Sequence, residues 1–111
     1  MENFFPGMIT SLPLAEIQLS GLSAWLLQAS DMQVLFMEFD EDAEVPEHNH
    51  EAQWGVVLGG EIELTFSGES HIYRKGDAYF IPKGLNHSAK IKKGYRDFTL
   101  FNQKDRYKVK T

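Results

Sequence analysis

The sequence predicts an all-β protein, and two patterns carry that prediction. Short runs rich in Val, Ile, Leu, Phe and Tyr recur roughly every ten residues, and Gly, Pro, Asn or Asp separate them. No stretch shows the apolar period of an amphipathic helix. Regularly spaced short strands without helices are typical of a β-sandwich or a β-barrel.

Eight segments are predicted to be strands. The clearest is Glu61–Phe66, where polar and apolar residues alternate before a Ser-Gly pair that suits a tight hairpin turn. Pro82 and Gly84 end another strand, because proline donates no ladder hydrogen bond and glycine permits a sharp reversal. One helical turn is expected within residues 14–19. The remaining predicted strands are residues 22–28, 33–39, 54–58, 71–74, 78–81, 88–91 and 98–101.

Composition narrows the class of protein. The 111 residues, 42% hydrophobic and 24% charged, suit a single soluble domain spanning residues 1–111. A net charge of −5 gives no general field for holding phosphate backbones, so no nucleic-acid partner is expected. No apolar run approaches the roughly 20 residues of a membrane helix, and residues 1–7 lack the features of a secretory signal. We therefore expect a cytoplasmic protein without a membrane partner.

The absence of cysteine limits the chemistry of any metal site. With no cysteine in the chain, disulfides, thiolate ligands and a cysteine nucleophile are excluded. Histidine nitrogen and carboxylate or amide oxygen remain as ligands, which favours metals that accept nitrogen and oxygen.

Three of the four histidines stand in a pattern that suggests such a site. His48 and His50 lie two apart in an extended segment, so strand periodicity directs both imidazoles to one face. Gln53 follows three residues later, and His87 comes directly after a Pro-x-Gly turn. Glu51 is the alternative ligand, yet as the neighbour of His50 it should point to the opposite face. The fourth histidine, His71 in the predicted outer hairpin, is expected at the surface or as a satisfied core residue.

The two histidine-containing segments resemble the motifs of the cupin superfamily. The first family motif reads G-x5-H-x-H-x(3,4)-E-x6-G, and the matches within about residues 42–60 are His48, His50 and Gly60. The second reads G-x5-P-x-G-x2-H-x3-N, and the matches within about residues 76–91 are Gly76, Pro82, Gly84 and His87. The resemblance implies the cupin double-stranded β-helix, a jelly-roll barrel, and one divalent metal ion (Fe, Mn, Ni or Zn) held by His48, His50, Gln53 and His87.

Three positions depart from the family motifs. Asp42 replaces the opening glycine, Ile91 replaces the closing asparagine, and Gln53 replaces the carboxylate ligand one residue early. A glutamine offers only a neutral amide oxygen, so three neutral imidazoles and this amide would leave the ion's double positive charge unbalanced. We therefore expect a small-molecule ligand that is anionic and binds through a carboxylate or enolate oxygen.

The resemblance also suggests a class of reaction. Among cupins with a His, His, Gln, His ligand set, the chain is similar to short pectin-degradation proteins, which linearise unsaturated uronates. In that family an acidic residue of the last strand moves a proton; Thr99 falls at this position, and Asp97 on the same face is the substitute. Tyr79 and Glu38 are further catalytic candidates. We interpret the chain as a metal-dependent isomerase or lyase acting on a small sugar acid or carboxylate.

Two other functions stay open. A redox-active metal in the same ligand set would indicate a dioxygenase, and a barrel without an acid or base beside the ligands would indicate a non-catalytic module that binds a small ligand or a metal.

The surroundings of the site and the assembly are also predicted. Gly55 is expected to leave space beside the ion, and the inward-facing residues are expected to include Phe36, Val57, Tyr79 and Phe101. The resemblance implies a homodimer, with Trp54 and Leu58 either at its interface or in a core between sheets. The basic tail, residues 104–110, is expected to lie across the partner or to fray.

Overall fold

The computed structural model describes residues 4–111. This part of the chain contains nine strands and one short helix. No helix in this part has the length and apolar character needed to cross a membrane. The elements in chain order are α1 (Gly7–Thr10), β1 (Leu22–Gln28), β2 (Gln33–Phe39), β3 (Ala43–His48), β4 (Gln53–Gly59), β5 (Glu61–Phe66), β6 (Glu69–Arg74), β7 (Ala78–Ile81), β8 (His87–Ile91) and β9 (Arg96–Phe101).

The strands form two antiparallel sheets. The five-stranded sheet has the order β1-β2-β9-β4-β7, and the four-stranded sheet has the order β3-β8-β5-β6. Strands that are distant in sequence are therefore neighbours, as β2 and β9 are. This arrangement is a jelly-roll barrel, and the all-β prediction is confirmed.

All eight predicted strands are present, but one strand was missed. Strand β3 carries Glu44, Pro46 and Glu47, so it lacks the apolar alternation that reveals a strand. It lies at the edge of the four-stranded sheet, where proline is tolerated, and its pairing with β8 is irregular between Val45 and His48.

The predicted helical turn within residues 14–19 is wrong. Leu14 and Ala15 make isolated β-bridges to Trp25 and Val109, and the Ala15 N–H donates to the Ala24 carbonyl at 2.8 Å. These bridges use the backbone groups that a helical turn would need. The short helix lies earlier in the chain, at Gly7–Thr10.

The core lies between the two sheets and is filled by alternate residues of each strand. Phe39 of β2 is 2% exposed and packs in one cluster with Ile62 and Leu64 of β5. Leu35 and Phe101, which are at most 2% exposed, pack in a second cluster with Ala24 and Leu26 of β1. Burial of each such side chain contributes about 1.5–3 kcal/mol.

The observed strand alternation corrects the predicted direction of two side chains. Phe36 was expected inside, but it lies on the outer face of the five-stranded sheet, where its ring packs against Phe5 and Phe98. Trp54 is 41% exposed on the same outer face, so it does not belong to a core between the sheets. Three residues that point inward on β4, β7 and β9 are buried as predicted: Val57, Tyr79 and Phe101.

Two motif positions have clear structural roles. Gly60 has φ +71°, and a Cβ there would lie 2.7 Å from the Tyr95 Cα, so only glycine fits without strain. Asp42, which replaces the motif's opening glycine, accepts a 2.7 Å hydrogen bond from the Lys93 N–H and so ties two loops together.

The C-terminal segment, residues 102–110, is held on its own barrel and is called the strap below. Buried Gln33 donates to the Tyr107 carbonyl at 2.8 Å and accepts from the Tyr107 N–H at 3.0 Å. The Glu16 N–H donates to the Lys108 carbonyl at 2.8 Å, and the Lys110 N–H donates to the Leu14 carbonyl at 2.7 Å. The expectation of a frayed tail is therefore wrong.

Candidate metal centre

The fold brings His48, His50 and His87 together at one end of the barrel. Strand pairing sets His48, the last residue of β3, opposite His87, the first residue of β8. His50 lies in the following loop, which is fixed by a 3.0 Å hydrogen bond from the Gly84 N–H to the His50 carbonyl. One ligand atom from each histidine lies within 4.8 Å of the others. A single ion can therefore contact all three imidazoles.

Backbone carbonyls fix the tautomer of each imidazole. Nδ1 lies 2.9 Å from the Pro46 carbonyl in His48, 2.6 Å from the Glu51 carbonyl in His50, and 2.8 Å from the Leu85 carbonyl in His87. A carbonyl oxygen only accepts, so each Nδ1 carries the hydrogen and each Nε2 keeps its lone pair. This is the arrangement that orients histidines around a metal ion.

The electrostatics of the site favour neutral imidazoles. Burial is the main reason that the pKa of His50 is lowered to about 4; the hydrogen bond to the Glu51 carbonyl raises it in part, and the neighbouring His87, Arg106 and His48 lower it. Burial also lowers the pKa of His87, again with smaller contributions from His48 and Arg106. Neutral imidazoles bind a metal ion without first releasing a proton.

Gln53 lies at the start of β4 and lines the same cavity as the histidines. Its Nε2 donates to Thr99 Oγ1 at 3.0 Å and faces the Tyr79 hydroxyl at 3.5 Å. Thr99 Oγ1 itself donates to the Trp54 carbonyl, so it must accept from the Gln53 amide. Within residues 4–111 the Gln53 Oε1 accepts no hydrogen bond, which leaves it available as a ligand. Its role as fourth ligand stays a prediction.

The space predicted beside Gly55 is filled by Tyr79. A Cβ built on Gly55 would lie 2.4 Å from Tyr79 Cζ and 2.5 Å from its hydroxyl oxygen. The glycine is required because the phenol ring crosses β4 at this point. The expectation of a ligand space there is wrong, and Gly55 instead lets Tyr79 reach Asp97.

A buried cluster of one carboxyl group and two phenols lies deeper in the barrel. Asp97 Oδ2 accepts from the Tyr95 hydroxyl at 2.6 Å and from the Tyr79 hydroxyl at 3.1 Å. Burial raises the pKa of Asp97 to about 7, although the two phenol hydrogen bonds lower it in part. Burial and the nearby Asp97 raise the pKa of both tyrosines, so the phenols remain protonated donors.

One cavity of about 610 Å³ connects these groups. Its entrance is lined by His48, His50 and the strap, and Asp97 lies at its inner end, two residues before Thr99 on β9. The walls between them are largely apolar and include Leu22, Met37, Phe39, Ile62, Leu64 and Ile91.

The side chains of two predicted candidates are paired with basic residues. Glu38 is on the outer face of the five-stranded sheet, where it pairs with Arg96 at 2.9 Å, and it does not line the cavity. Glu51 lies at the cavity entrance and pairs with Lys83 at 3.5 Å.

His71 stacks on Phe66 in the outer hairpin, at the surface as expected.

Arg106 and Gln103 of the strap line the cavity and were missed from the sequence. The Arg106 guanidinium lies over the Tyr107 ring at 4.5 Å and makes no ion pair within residues 4–111. It is close enough to lower the pKa of His50 and of His87. Their position in the sequence could have indicated them, because both residues follow β9, the strand that faces the histidines.

Comparisons with known proteins agree with this geometry. The family profile described as a cupin domain matches residues 35–95. No curated protein matches the chain. A solved RmlC-like cupin from Shewanella frigidimarina is 25% identical, with a TM-score of 0.73, over 96% of this chain and 94% of that one.

Two further solved structures share the fold. KdgF from a Halomonas species is 24% identical, with a TM-score of 0.70, over 86% of this chain and 96% of that one. An oxalate decarboxylase variant from Bacillus subtilis is 21% identical, with a TM-score of 0.69, over 86% of this chain but only 28% of that one. Because the cupin-domain profile covers more than half of the residues, this chain belongs to the cupin family.

Proposed function

We propose that this cupin holds one divalent metal ion through His48, His50, His87 and Gln53 and acts on a small anionic ligand as an isomerase or lyase. The observation that carries the proposal is the convergence of three imidazoles, each with its Nδ1 hydrogen bonded to a carbonyl, on one cavity. When bound, a divalent ion supplies Lewis-acid polarisation of a ligand oxygen. Fe, Mn, Ni and Zn all accept this nitrogen and oxygen donor set.

An anionic ligand is supported by the charges at the cavity entrance. The proposed ligand set is neutral, so the ion's charge is not balanced by the protein. Arg106 adds a guanidinium that has no ion-pair partner in the described residues. A guanidinium binds a carboxylate through two parallel hydrogen bonds. Arg106 therefore binds the carboxylate of the ligand.

Asp97 is the proposed proton-transfer group. Its pKa of about 7 lets it both accept and release a proton near neutral pH. Tyr79 donates to it and also reaches Gln53, so one hydrogen-bonded path joins the metal ligands to the buried acid. Asp97 would remove a proton from a carbon next to a polarised carbonyl and return it elsewhere, as an isomerase requires. Glu38 plays no part in this proposal.

Solvent exchange tests the reaction class. We expect the metal-loaded protein in D₂O to incorporate deuterium next to the carbonyl of a uronate or another keto sugar acid, detected by NMR. Asp97→Asn should abolish the exchange while ligand binding persists. Binding without exchange in the wild type supports the non-catalytic module instead, and dioxygen consumption supports the dioxygenase.

Gln53→Glu tests the role of the neutral ligand. We expect this variant to bind the metal ion about tenfold more tightly, because the carboxylate balances charge, and to bind small carboxylates less well. A chelator competition and calorimetric titration with acetate and galacturonate measure the two affinities. Glu63→Gln, at an acidic residue that does not line this cavity, is the control and should change neither. Equal carboxylate affinity in Gln53→Glu and the wild type would contradict the charge argument.

The outer face of the five-stranded sheet supports a homodimer. Trp54 and Phe80 are 41% and 59% exposed, and Phe98 packs against Trp54 at 6.0 Å. We propose that a second copy covers this apolar face, because large aromatic groups side by side are costly to leave in water. All three side chains are aromatic and uncharged.

Charge substitution tests the dimer. We expect the wild type to sediment as a dimer and Trp54→Asp or Phe80→Asp to weaken dimerisation at least a hundredfold, since either places a charge in the apolar interface. Ile72→Asp is the control, because Ile72 is 45% exposed on the other sheet. A wild type that sediments as a monomer at micromolar concentration would rule out this interface.

A further inference from the structure

The cavity that contains the histidines extends along one side of the barrel. Strands β1 and β3 are the edge strands of the two sheets, and in residues 4–111 they make no pair with each other. Leu22 of β1 and Val45 of β3 both line the cavity, together with Ile17 and Leu19 of the segment before β1. The cavity therefore continues from the imidazoles into the space between the two edges.

Apolar side chains that are only partly buried line this space. They pack against the two core clusters but keep some surface exposed, and they are called the apolar gap below: Ile17, Leu19, Leu22, Met37 and Val45. Apolar surface that stays in contact with water is unfavourable. A hydrocarbon group in the apolar gap would remove this surface from water.

The cavity offers almost no polar surface beyond its entrance. Within the described residues, the polar side chains that line it lie either around the imidazoles and the strap or in the cluster of Asp97 and its two phenols. Asp97 is 2% exposed, and Tyr79 and Tyr95 are 5% and 0% exposed, because they use their polar atoms on each other. A hydroxyl or a charge placed beside the apolar gap would therefore lose its water without gaining a partner.

The cavity is larger than an ion and a short acid require. Its volume of about 610 Å³ falls within the roughly 300–1,000 Å³ of pockets that hold drug-sized ligands. His87 and Ile91, at the two ends of β8, both line it. Four residue steps of a strand span roughly 13 Å. An extended octyl chain is of similar length, so such a chain can reach from the imidazoles to the inner end of the cavity.

We propose that the apolar gap is a binding site for a hydrocarbon chain of the ligand. The ligand then combines an anionic head at the imidazoles and Arg106 with an apolar chain that lies along Leu22, Met37 and Val45. The head is the anionic group of the proposed function, and in that respect this proposal rests on it. The chain is a separate feature, which follows from the apolar walls and from the continuity of the gap with the metal cavity.

A series of carboxylates of increasing length tests the proposal. Metal-loaded protein is titrated calorimetrically with acetate, butanoate, hexanoate and octanoate. We expect the affinity to rise about two- to fourfold for each added methylene group, the gain for burying such a group. The heat-capacity change of binding should become more negative along the series, as burial of apolar surface requires. Equal affinities for acetate and octanoate would overturn the proposal and would show that the gap holds only water.

A hydroxyl at the far end of the chain tests the polarity of the gap. The acid 6-hydroxyhexanoate has the same carboxylate and the same number of carbons as hexanoate, and its hydroxyl is too far from the carboxylate to chelate the same ion. We expect it to bind about tenfold more weakly than hexanoate, because the hydroxyl finds no partner in the gap. Binding as tight as that of hexanoate would contradict the apolar character assigned to the site.

A pair of leucines on one strand locates the chain. We expect Leu22→Gln to weaken octanoate binding at least tenfold and to leave acetate binding unchanged, since acetate does not reach the gap. Leu27→Gln is the matched control, because Leu27 is 47% exposed on the same strand and does not line the cavity. Unchanged octanoate affinity in Leu22→Gln would overturn the assignment. The chain-length series in the wild type remains decisive if this variant does not fold.

The metal-free protein separates this proposal from the proposed function. Burial of methylene groups does not involve the ion, so the dependence on chain length is expected in the metal-free protein as well, at lower overall affinity. Failure of the protein to load metal would overturn the proposed function, whereas a persistent preference for octanoate over acetate would still support the apolar gap. Metal loading and acetate binding without any effect of chain length would overturn the apolar gap alone.

Discussion

Replacing His48 or His87 with alanine is expected to remove the metal ion from this protein. The wild type should hold close to one ion per chain after reconstitution, and each variant close to none. Loss of one imidazole leaves two nitrogen ligands and one neutral amide, so only two of the three remaining ligands are of the histidine, cysteine or carboxylate types that hold catalytic zinc. Elemental analysis of purified, untagged protein, with metal counted per chain, measures the effect.

His71 provides the control for this experiment. It is the remaining histidine of the chain and lies in the outer hairpin, stacked on Phe66. We expect His71→Ala to keep the full metal content and the circular dichroism of the wild type. If His71→Ala loses as much metal as His48→Ala and His87→Ala, the ion is bound adventitiously and the assigned site is wrong.

Asp97→Asn is expected to stabilise the protein at alkaline pH. Burial raises the pKa of Asp97 from 3.8 to about 7. Between these values the unfolded chain has lost the proton while the folded protein keeps it, so the contribution of Asp97 to stability falls as pH rises. Above pH 7 the penalty reaches on the order of 4 kcal/mol as an upper bound, since one pKa unit corresponds to about 1.4 kcal/mol.

The asparagine carries no such penalty. Its carbonyl oxygen can accept from Tyr95 and Tyr79, and its amide nitrogen, with two donor hydrogens, stands without a partner where the aspartate has an unpaired oxygen. We expect the melting temperature of Asp97→Asn to exceed that of the wild type by several degrees at pH 8, at roughly 4–8 °C for each kcal/mol, and the difference to shrink towards pH 4.

Differential scanning calorimetry of the metal-free proteins between pH 4 and pH 8 measures this difference. Taking the difference between variant and wild type cancels the contribution of the ionisable groups that the two proteins share. Asp31→Asn, at an exposed position, is the control and should follow the wild type at every pH. A difference that is constant with pH would show that Asp97 is ionised throughout and is not held near neutrality by burial.

Local patterns in the sequence predicted most of the fold and the histidines of the site. Strands such as β5 show their alternation within a few residues, and the spacing of His48 and His50 follows strand geometry directly. The family motif added His87. None of these predictions requires knowing which distant segments meet.

The missed features depend on long-range pairing. The side-chain amide of Gln33 holds the backbone of Tyr107, 74 positions away, through two hydrogen bonds, and that contact places Arg106 at the cavity. Whether the Glu38 side chain points into the barrel depends on the register of β2. In the structure Met37 points inward beside Asp97, and Glu38 therefore points outward beside Arg96. A pattern of residue types does not reveal such register. Gly55 was misread for a similar reason, since the ring that fills its space comes from β7.

The metal assignment is tested most directly by anomalous diffraction from crystals of the reconstituted protein, recorded on either side of the metal's absorption edge. We predict one peak per chain, about 2.0–2.2 Å from the Nε2 atoms of His48, His50 and His87. Gln53 Oε1 should lie at a similar distance, and the three Nδ1 atoms should keep their carbonyl partners. Absence of a peak in fully reconstituted crystals, or a peak bound through Nδ1, would contradict the site described here.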